Sequence, residues 1–209
     1  MSNFQYILFD LDGTLIDSFE GIKNSFEYTF KKLNIDIKYD IKKFIGPPLE
    51  DTFEFLGIKN ISRAVEIYRE NYMKTGMYEC KVFEGIEEVL FQLKKRNKNL
   101  IVTTSKLESI SIKILKNNNI LKYFDFVYGS DKELTRNNKA EIIEYAIKKN
   151  NIKNRNEVVI IGDTIFDIIG AKKTNIKSIG VYYGYGKIKD VEKADFYINK
   201  PNELLDIIK

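Results

Sequence analysis

Residues 5–15 read QYILFDLDGTL, a short apolar run that ends in two acids and a glycine. Consecutive Ile, Leu and Phe residues are typical of a strand buried on both faces of a parallel sheet. Asp10 and Asp12 are two positions apart, so their side chains face the same way at the end of this strand. Two like charges held together are costly unless a cation or a proton offsets them, which favours a metal site. Gly13 permits a sharp turn, and Thr14 can hydrogen-bond across that turn.

Further apolar runs along the chain also predict strands. With the first, the predicted strands are Gln5–Asp10, Leu100–Thr104, Phe126–Gly129, Val158–Gly162, Ser178–Tyr182 and Phe196–Ile198. Amphipathic helical patterns lie between them. The apolar faces are Ile86, Val89, Leu90 and Leu93 in one pattern, and Ile143, Ala146 and Ile147 in another. Strand and helix alternate from Val82 onward, which indicates an α/β fold with a parallel sheet and helices on both sides.

The segment from about Ser18 to Val82 breaks this alternation, because it carries only helical periodicities. Its apolar stripes are Phe19, Ile22, Phe26, Phe30 and Leu33; Leu49, Phe53 and Leu56; and Ile61, Val65, Tyr68 and Tyr72. The stripes predict the core of a helical bundle rather than ligand contacts. We therefore expect an inserted helical subdomain at residues 18–80, and a sheet domain made of residues 1–17 and 81–209.

The chain contains no histidine. Its absence excludes Ser-His-Asp hydrolysis, phosphohistidine chemistry and histidine-ligated zinc. A metal site in this chain is expected to be rich in oxygen ligands, which suits Mg²⁺. The single cysteine, Cys80, cannot form an internal disulfide, which fits a reducing compartment, and we expect it to be a partly buried filler.

The net charge is only +4, and the basic residues are spread along the chain. This pattern does not indicate a nucleic-acid polymer as a partner. No apolar run is long enough for a membrane helix, and the N-terminus has no pattern of a secretory signal. We expect a cytoplasmic protein that does not cross a membrane.

In open parallel sheets, ligands bind beyond the carboxyl ends of the strands. The second strand ends at Thr104, Ser105 and Lys106, where we expect a helix to begin. Helix-start amides and a hydroxyl are suited to phosphate oxygens, although Thr104 or Ser105 can equally be a simple N-cap. Lys139 lies near the start of another predicted helix and opposes its dipole, so it either points to solvent or is held by an anionic site.

The strand predicted at Val158–Gly162 runs into Asp163, and Asp167 follows four residues later. If a helix begins near Thr164, both carboxylates can face the strand ends. Two other interpretations remain, Asp163 as an N-cap and Asp167 as a salt-bridge partner. Together with the first acidic pair, these acids predict a metal site.

In their order along the chain, these four motifs resemble those of the haloacid dehalogenase-like superfamily, most of whose members are phosphatases. FDLDGTL is similar to its first motif, IVTTSK to its second and IGDTIFD to its fourth, and Lys139 stands at the position of the third-motif lysine. The resemblance spans essentially the whole chain and implies a Rossmann-like core with a small α-helical cap. FIGPPLEDTF and LTRNNKAEII resemble the phosphoglycolate phosphatase or 5′-nucleotidase-like group.

The resemblance implies a role for each acid. Asp10 corresponds to the nucleophile and Asp12 to the general acid/base. Mg²⁺ is expected to be held by Asp10, the backbone carbonyl of Asp12 and Asp163, with Asp167 as a ligand directly or through water. The implied reaction is hydrolysis of a phosphate monoester through an aspartyl phosphate.

The resemblance also implies a small-molecule phosphate ester as the substrate, of the phosphoglycolate or nucleoside 5′-monophosphate kind. Thr104 and Lys139 correspond to the catalytic residues that hold the phosphoryl oxygens, and Ser105, Lys106 and Gly46 are further candidate contacts. A phosphate-transferring mutase like β-phosphoglucomutase and a catalytically silent binding module are the alternatives. The protein is expected to be a monomer or a homodimer.

Overall fold

The larger of two units is built on a parallel sheet. The computed structural model describes residues 4–36, 40–131, 135–136 and 138–209. The chain divides into one unit made of Met1–Asp17 and Val82–Lys209, and a second made of Ser18–Lys81. Among the described residues, no helix has the length and apolar character needed to cross a bilayer.

Six strands form the main sheet in the order β5-β4-β1-β6-β7-β8, and all neighbours are parallel. They are β1 (Tyr6–Phe9), β4 (Asn99–Leu107), β5 (Phe126–Ser130), β6 (Val158–Gly162), β7 (Lys177–Val181) and β8 (Phe196–Ile198). Two short strands, β2 (Ile16–Asp17) and β3 (Lys81–Val82), form a separate sheet. The predicted α/β fold is confirmed, and each predicted strand of the main sheet is present.

The register of the central strands positions the site. Phe9 at the end of β1 lies opposite Val102 of β4 and Ile161 of β6. The next backbone amide, that of Asp10, donates to the Ile161 carbonyl at 2.9 Å. The residues that follow these strands therefore meet at one edge of the sheet, as expected for carboxyl ends of parallel strands.

The four longer helices of the larger unit pack on the sheet, and two helices of four residues follow them. They are α4 (Ile86–Lys95), α5 (Glu108–Asn117), α6 (Lys139–Lys149), α7 (Ile165–Lys173), α8 (Ile188–Val191) and α9 (Leu204–Ile207). The predicted faces of α4 and α6 are buried. In α6, Ile143 and Ala146 pack in one cluster with Leu8 and Ile160 of the sheet.

The second unit is helical. It contains α1 (Phe19–Lys32), α2 (Leu49–Phe55) and α3 (Ile61–Lys74), with short 3-10 helices at Ile41–Phe44 and Gly76–Tyr78. Phe26 is fully buried at its centre. Its ring lies 4.8–5.8 Å from those of Phe30, Phe44, Phe53 and Tyr68. The aromatic stripes thus pack on one another as a core, and the role of this unit as a cap stays a prediction.

The helix predicted to begin at Thr104–Lys106 begins later, so that prediction is wrong. Strand β4 continues through Leu107, and α5 starts at Glu108. The register of β4 against β5 shifts between Thr103 and Leu107. Gly129 of β5 permits this path, because a Cβ there would lie 2.4 Å from the Lys106 carbonyl oxygen. Neither Thr104 nor Ser105 is the N-cap, a position that Leu107 occupies.

Candidate active site

Three carboxylates meet at the carboxyl edge of the sheet. Asp10 follows β1, Asp163 follows β6, and Asp167 lies in the first turn of α7. Each offers one oxygen atom, and these atoms all lie within 4.8 Å of one another. The side chains are buried, with exposed fractions of 7%, 0% and 1% respectively. We call these three residues the acidic group.

Lys139, the first residue of α6, reaches into the acidic group. Its Nζ lies 2.6 Å from Oδ1 of Asp10, 2.8 Å from Oδ1 of Asp167 and 2.9 Å from the Thr103 carbonyl oxygen. The side chain is buried. Of the two interpretations of a lysine at a helix start, the structure supports a lysine held by anions.

Among the residues that the structure describes, three buried acids face one buried lysine, so the charges of the site do not balance. Burial raises the pKa of Asp10 to about 7; Lys139 opposes this rise, and the charges of Asp167 and Asp12 add to it. Burial, and then the charges of Asp10 and Asp167, raise the pKa of Asp163 well above its ordinary value. Burial alone lowers the pKa of Lys139, but the two neighbouring carboxylates outweigh it and raise that pKa. The excess of negative charge favours a second cation, and hard carboxylate oxygens fit a divalent ion such as Mg²⁺.

Two contacts orient Asp163. The Thr14 hydroxyl lies 3.4 Å from its Oδ1, and the backbone N–H of Tyr185 donates to its Oδ2 at 2.7 Å. Gly13 has a φ of 86°, and a Cβ on it would lie 2.3 Å from Oδ2. Both the left-handed backbone and the close approach require glycine at this turn.

The cap of α7 is not Asp163. Thr164 occupies the N-cap position, and Asp167 Oδ2 accepts from the backbone N–H and the hydroxyl of Thr164 at 3.1 and 2.8 Å. The N-cap interpretation of Asp163 is therefore wrong. Asp167 does form the ion pair that its alternative interpretation described, and it also belongs to the acidic group.

The other candidate residues lie outside the acidic group. The carboxylate of Asp12 pairs with Lys106, whose Nζ lies 2.8 Å from Oδ2 and 2.9 Å from Oδ1. Thr104 is buried, and its hydroxyl accepts from the backbone N–H of Lys106 at 3.2 Å. Ser105 is half-buried, and Gly46 belongs to the helical unit. Metal binding by the Asp12 carbonyl, and substrate contacts by Thr104, Ser105, Lys106 and Gly46, stay predictions.

Sequence reasoning missed one participating segment, the loop that follows β7. Tyr185 in this loop contacts Asp163 through its backbone. The available signal was Tyr183-Gly184-Tyr185-Gly186 directly after a buried strand, where flanking glycines allow close backbone approach. Every residue type except proline has a backbone N–H, however, so the sequence alone does not identify this donor.

Comparison with known proteins decides the family. Residues 7–181 match the family model described as haloacid dehalogenase-like hydrolase. The chain belongs to this family. The predicted superfamily, the Rossmann-like fold and the prediction of a hydrolytic enzyme are thereby confirmed.

Two relatives of this haloacid dehalogenase-like hydrolase match over more than four fifths of their own lengths. A 5′-nucleotidase of Pseudomonas aeruginosa is 38% identical, over 86% of this chain and 83% of the relative. A phosphoglycolate phosphatase of Aquifex aeolicus is 32% identical, over 97% and 95%. The crystal structure of a predicted phosphatase from Clostridium acetobutylicum superposes with a TM-score of 0.93 at 38% identity, covering 99% of this chain and 98% of that chain.

Proposed function

We propose that the protein is a Mg²⁺-dependent phosphatase that hydrolyses a small-molecule phosphate monoester through a phosphorylated Asp10. The observation that carries the proposal is the position of Asp10, with Lys139 at 2.6 Å and Asp163 and Asp167 beside it. A nucleophilic carboxylate approaching a phosphate dianion needs positive charge around both. Lys139 supplies part of that charge, and the acidic group can hold a cation that supplies the rest.

The residues that would hold Mg²⁺ are Asp10, Asp163 and the backbone carbonyl of Asp12, with Asp167 in direct contact or through water. The raised pKa values of Asp10 and Asp163 support this set, because they reflect buried acids whose charges are not compensated. A bound Mg²⁺ supplies Lewis-acid charge that reduces repulsion between carboxylate and phosphate.

In the first step, an oxygen of Asp10 attacks phosphorus and the bond from phosphorus to the leaving oxygen breaks. Asp12 gives its proton to that oxygen, so the alcohol leaves neutral and the phosphoryl group remains on Asp10. Lys139 holds Oδ1 of Asp10 during the attack, and Thr104 binds a phosphoryl oxygen. The buried position of Lys139 keeps its charge unscreened by water.

In the second step, water attacks the phosphorus of the aspartyl phosphate. Asp12 accepts the proton of that water, the bond between phosphorus and Asp10 breaks, and inorganic phosphate leaves. Asp10 and Asp12 thus return to their starting protonation states. Lys106 holds the carboxylate of Asp12 at the carboxyl edge of the sheet between these steps.

The proposed substrate class follows from the relatives, since one is named a 5′-nucleotidase and another a phosphoglycolate phosphatase. We propose a phosphoglycolate-like or nucleoside 5′-monophosphate-like ester, with the helical unit and Gly46 contributing to its selection. The reacting end is the same in both classes, so the acidic group alone does not discriminate between them.

Phosphate release from a panel of both ester classes, with and without Mg²⁺, tests the proposal. We expect hydrolysis that stops when a chelator removes the metal and returns when Mg²⁺ is added. Retained hydrolysis in excess chelator contradicts the metal assignment. With a sugar 1-phosphate added to the panel, formation of an isomerised sugar phosphate without phosphate release would instead identify a mutase.

Asp10→Asn tests the covalent step. The substitution removes the attacking oxygen's charge, so we expect no turnover and no acid-stable label on the protein after reaction with phosphate-labelled substrate. Asp12→Ala is the comparison, since it removes proton transfer but keeps the nucleophile, and we expect a rate lower by about 10²–10⁴-fold. Full activity of Asp10→Asn, with an unfolding transition like that of the parent protein, contradicts the proposal.

A further inference from the structure

The loop after β7 lies directly against Asp163. A Cβ on Gly184 would lie 2.3 Å from Cβ of Asp163 and 2.4 Å from the Gly13 carbonyl oxygen, and one on Gly186 would lie 1.7 Å from the Asp163 carbonyl oxygen. Real Cβ atoms do not approach other atoms so closely, so both positions require glycine. The two glycines bring the backbone of the residue between them, Tyr185, up to the acidic group.

Two hydrogen bonds of Tyr185 point in different directions. Its backbone N–H donates to Asp163 Oδ2 at 2.7 Å, and its hydroxyl donates to Asp17 Oδ1 at 2.9 Å. Its ring packs on Gly13, where a Cβ would lie 2.8 Å from Cδ2 of Tyr185. Asp17 is the last residue of the larger unit before the chain enters the helical unit. One residue therefore joins the acidic group to this connecting segment.

We propose that Tyr185 is a positioning residue for the metal site, and that the bond from its hydroxyl to Asp17 fixes the orientation of Asp163. This inference rests on the proposed function. The N–H bond to Asp163 is shorter than the 3.4 Å contact from Thr14, so it has the larger part in setting the direction of the carboxylate. The bond from the hydroxyl to Asp17 holds the far end of the Tyr185 side chain, and it thereby restrains the backbone N–H that contacts Asp163.

A tyrosine that only stabilises the fold would leave metal affinity unchanged. A residue that orients a ligand changes the affinity, because outer contacts of metal ligands usually affect it about 10–100-fold. The two roles therefore differ in a quantity that can be measured without substrate.

The experiment titrates metal-free protein with Mn²⁺, which accepts the same oxygen ligands as Mg²⁺, and follows free Mn²⁺ by its paramagnetic resonance signal. We expect Tyr185→Phe to raise the Mn²⁺ Kd about tenfold. In steady-state assays of Tyr185→Phe, two quantities are measured: the Mg²⁺ concentration that gives half the maximal rate, and kcat at saturating Mg²⁺. The first should rise by a larger factor than the second falls. An unchanged Mn²⁺ Kd in Tyr185→Phe overturns the inference, even if the variant unfolds at a lower temperature.

Tyr182→Phe is the matched control. It removes a hydroxyl group from the same loop, but the Tyr182 ring packs against Tyr197 of β8, with the ring centroids 5.5 Å apart. We expect its Mn²⁺ Kd to equal that of the parent protein. An equal rise in Kd for Tyr182→Phe and Tyr185→Phe would overturn the specific role of the bond to Asp17.

Substitutions of Asp17 test the same hydrogen bond from the side of its acceptor. Asp17→Ala removes the acceptor, so it should raise the Mn²⁺ Kd as Tyr185→Phe does, and the double variant should show no further rise. Asp17→Asn keeps an acceptor oxygen and should restore most of the affinity. Strictly additive effects of the two single substitutions contradict the proposed bond.

Asp163→Asn separates failure of this inference from failure of the proposed function. If Asp163→Asn and the parent protein bind Mn²⁺ equally, Asp163 is not a metal ligand and both proposals are wrong. If Asp163→Asn loses Mn²⁺ binding while Tyr185→Phe retains it, the proposed metal site stands and only the inference about Tyr185 is wrong.

Discussion

Lys139 is the cation on which the electrostatics of the acidic group depend. It lies within 2.8 Å of Asp10 and Asp167, and all three side chains are buried. Removing one partner of a buried ion pair costs about 3–5 kcal/mol, because the remaining charge keeps its desolvation penalty. We therefore expect Lys139→Met to lower the free energy of unfolding of the metal-free protein by that amount, measured by denaturant titration in chelator.

Lys193 offers the control for this substitution. It forms an ion pair of 2.6 Å with Asp190, but its side chain is 51% exposed. Exposed pairs contribute about 0–1 kcal/mol, so Lys193→Met should change stability little. Equal small effects in both variants would mean that the charges of the acidic group are compensated in some other way.

At the scale of single residues, the sequence predicts those parts of the site that lie at the end of a strand or the start of a helix. Asp10, Asp163 and Lys139 follow or begin elements whose patterns were clear, so their convergence could be expected. The pairing of Asp12 with Lys106 could not, because it depends on the path of β4 beyond Thr104. The contact of Tyr185 with Asp163 was not predicted, because a backbone atom makes it.

At the scale of elements, Asp195 joins the starts of β7 and β8. Its Oδ2 accepts from the backbone N–H and hydroxyl of Ser178 at 2.9 and 3.0 Å, and Lys177 Nζ lies 2.6 Å from Oδ1. Burial raises the pKa of Asp195, but these hydrogen bonds and the lysine outweigh burial and hold the pKa below its usual value. The ionised carboxylate therefore stabilises the folded state.

The sign of its pH dependence follows from that lowered pKa. The stabilisation is fully present above the pKa of the unfolded chain, about 3.9, and it is lost as pH falls through the lower pKa of the folded state. We expect Asp195→Asn to cost about 1 kcal/mol at pH 7 and nearly nothing once the wild-type acid is protonated. Denaturant titrations across pH 2–7 measure the difference.

Asp206→Asn controls for the loss of one negative charge. Asp206 is an exposed residue of α9, so its substitution should leave the stability curve unchanged over the same pH range. A difference between Asp195→Asn and wild type that grows toward acid pH would have the wrong sign for the proposed hydrogen bonds.

The boundary between β4 and α5 shows why element ends were harder to predict than elements. Thr104 and Ser105 are good N-cap residues, so local propensity favours a helix start there. The chain instead continues as strand to Leu107, where the register against β5 has shifted. Gly129 on the neighbouring strand makes room for this shift, and such a tertiary contact has no signature in the local sequence.

At the scale of the molecule, the alternation of strand and helix predicted the larger unit because each pattern has its own period. Strands buried on both faces read as continuous apolar runs, and the covering helices show one apolar stripe. These patterns do not predict the strand order β5-β4-β1-β6-β7-β8, because strands that are adjacent in the sheet are distant in sequence. The resemblance to known motifs predicted the Rossmann-like core, which hydrophobic periodicity alone does not specify.

The helical unit packs its own aromatic residues together, which leads to a prediction about how the protein unfolds. Phe26 is fully buried in the helical unit among four other aromatic rings. Replacing a buried phenylalanine with alanine costs about 3–5 kcal/mol, because the cavity closes only in part. We expect Phe26→Ala to produce a separate unfolding transition at lower temperature in calorimetry, while the transition of the larger unit keeps its position.

Phe55→Ala removes the same side chain from a position in the same unit that is 72% exposed. It loses little buried area, so its calorimetric profile should match that of the parent protein. If Phe26→Ala instead shifts one undivided transition, the two units unfold cooperatively and the prediction of a separate transition is wrong. If Phe55→Ala lowers the transition temperature as much as Phe26→Ala does, the Phe55 ring is buried in solution by association with another molecule.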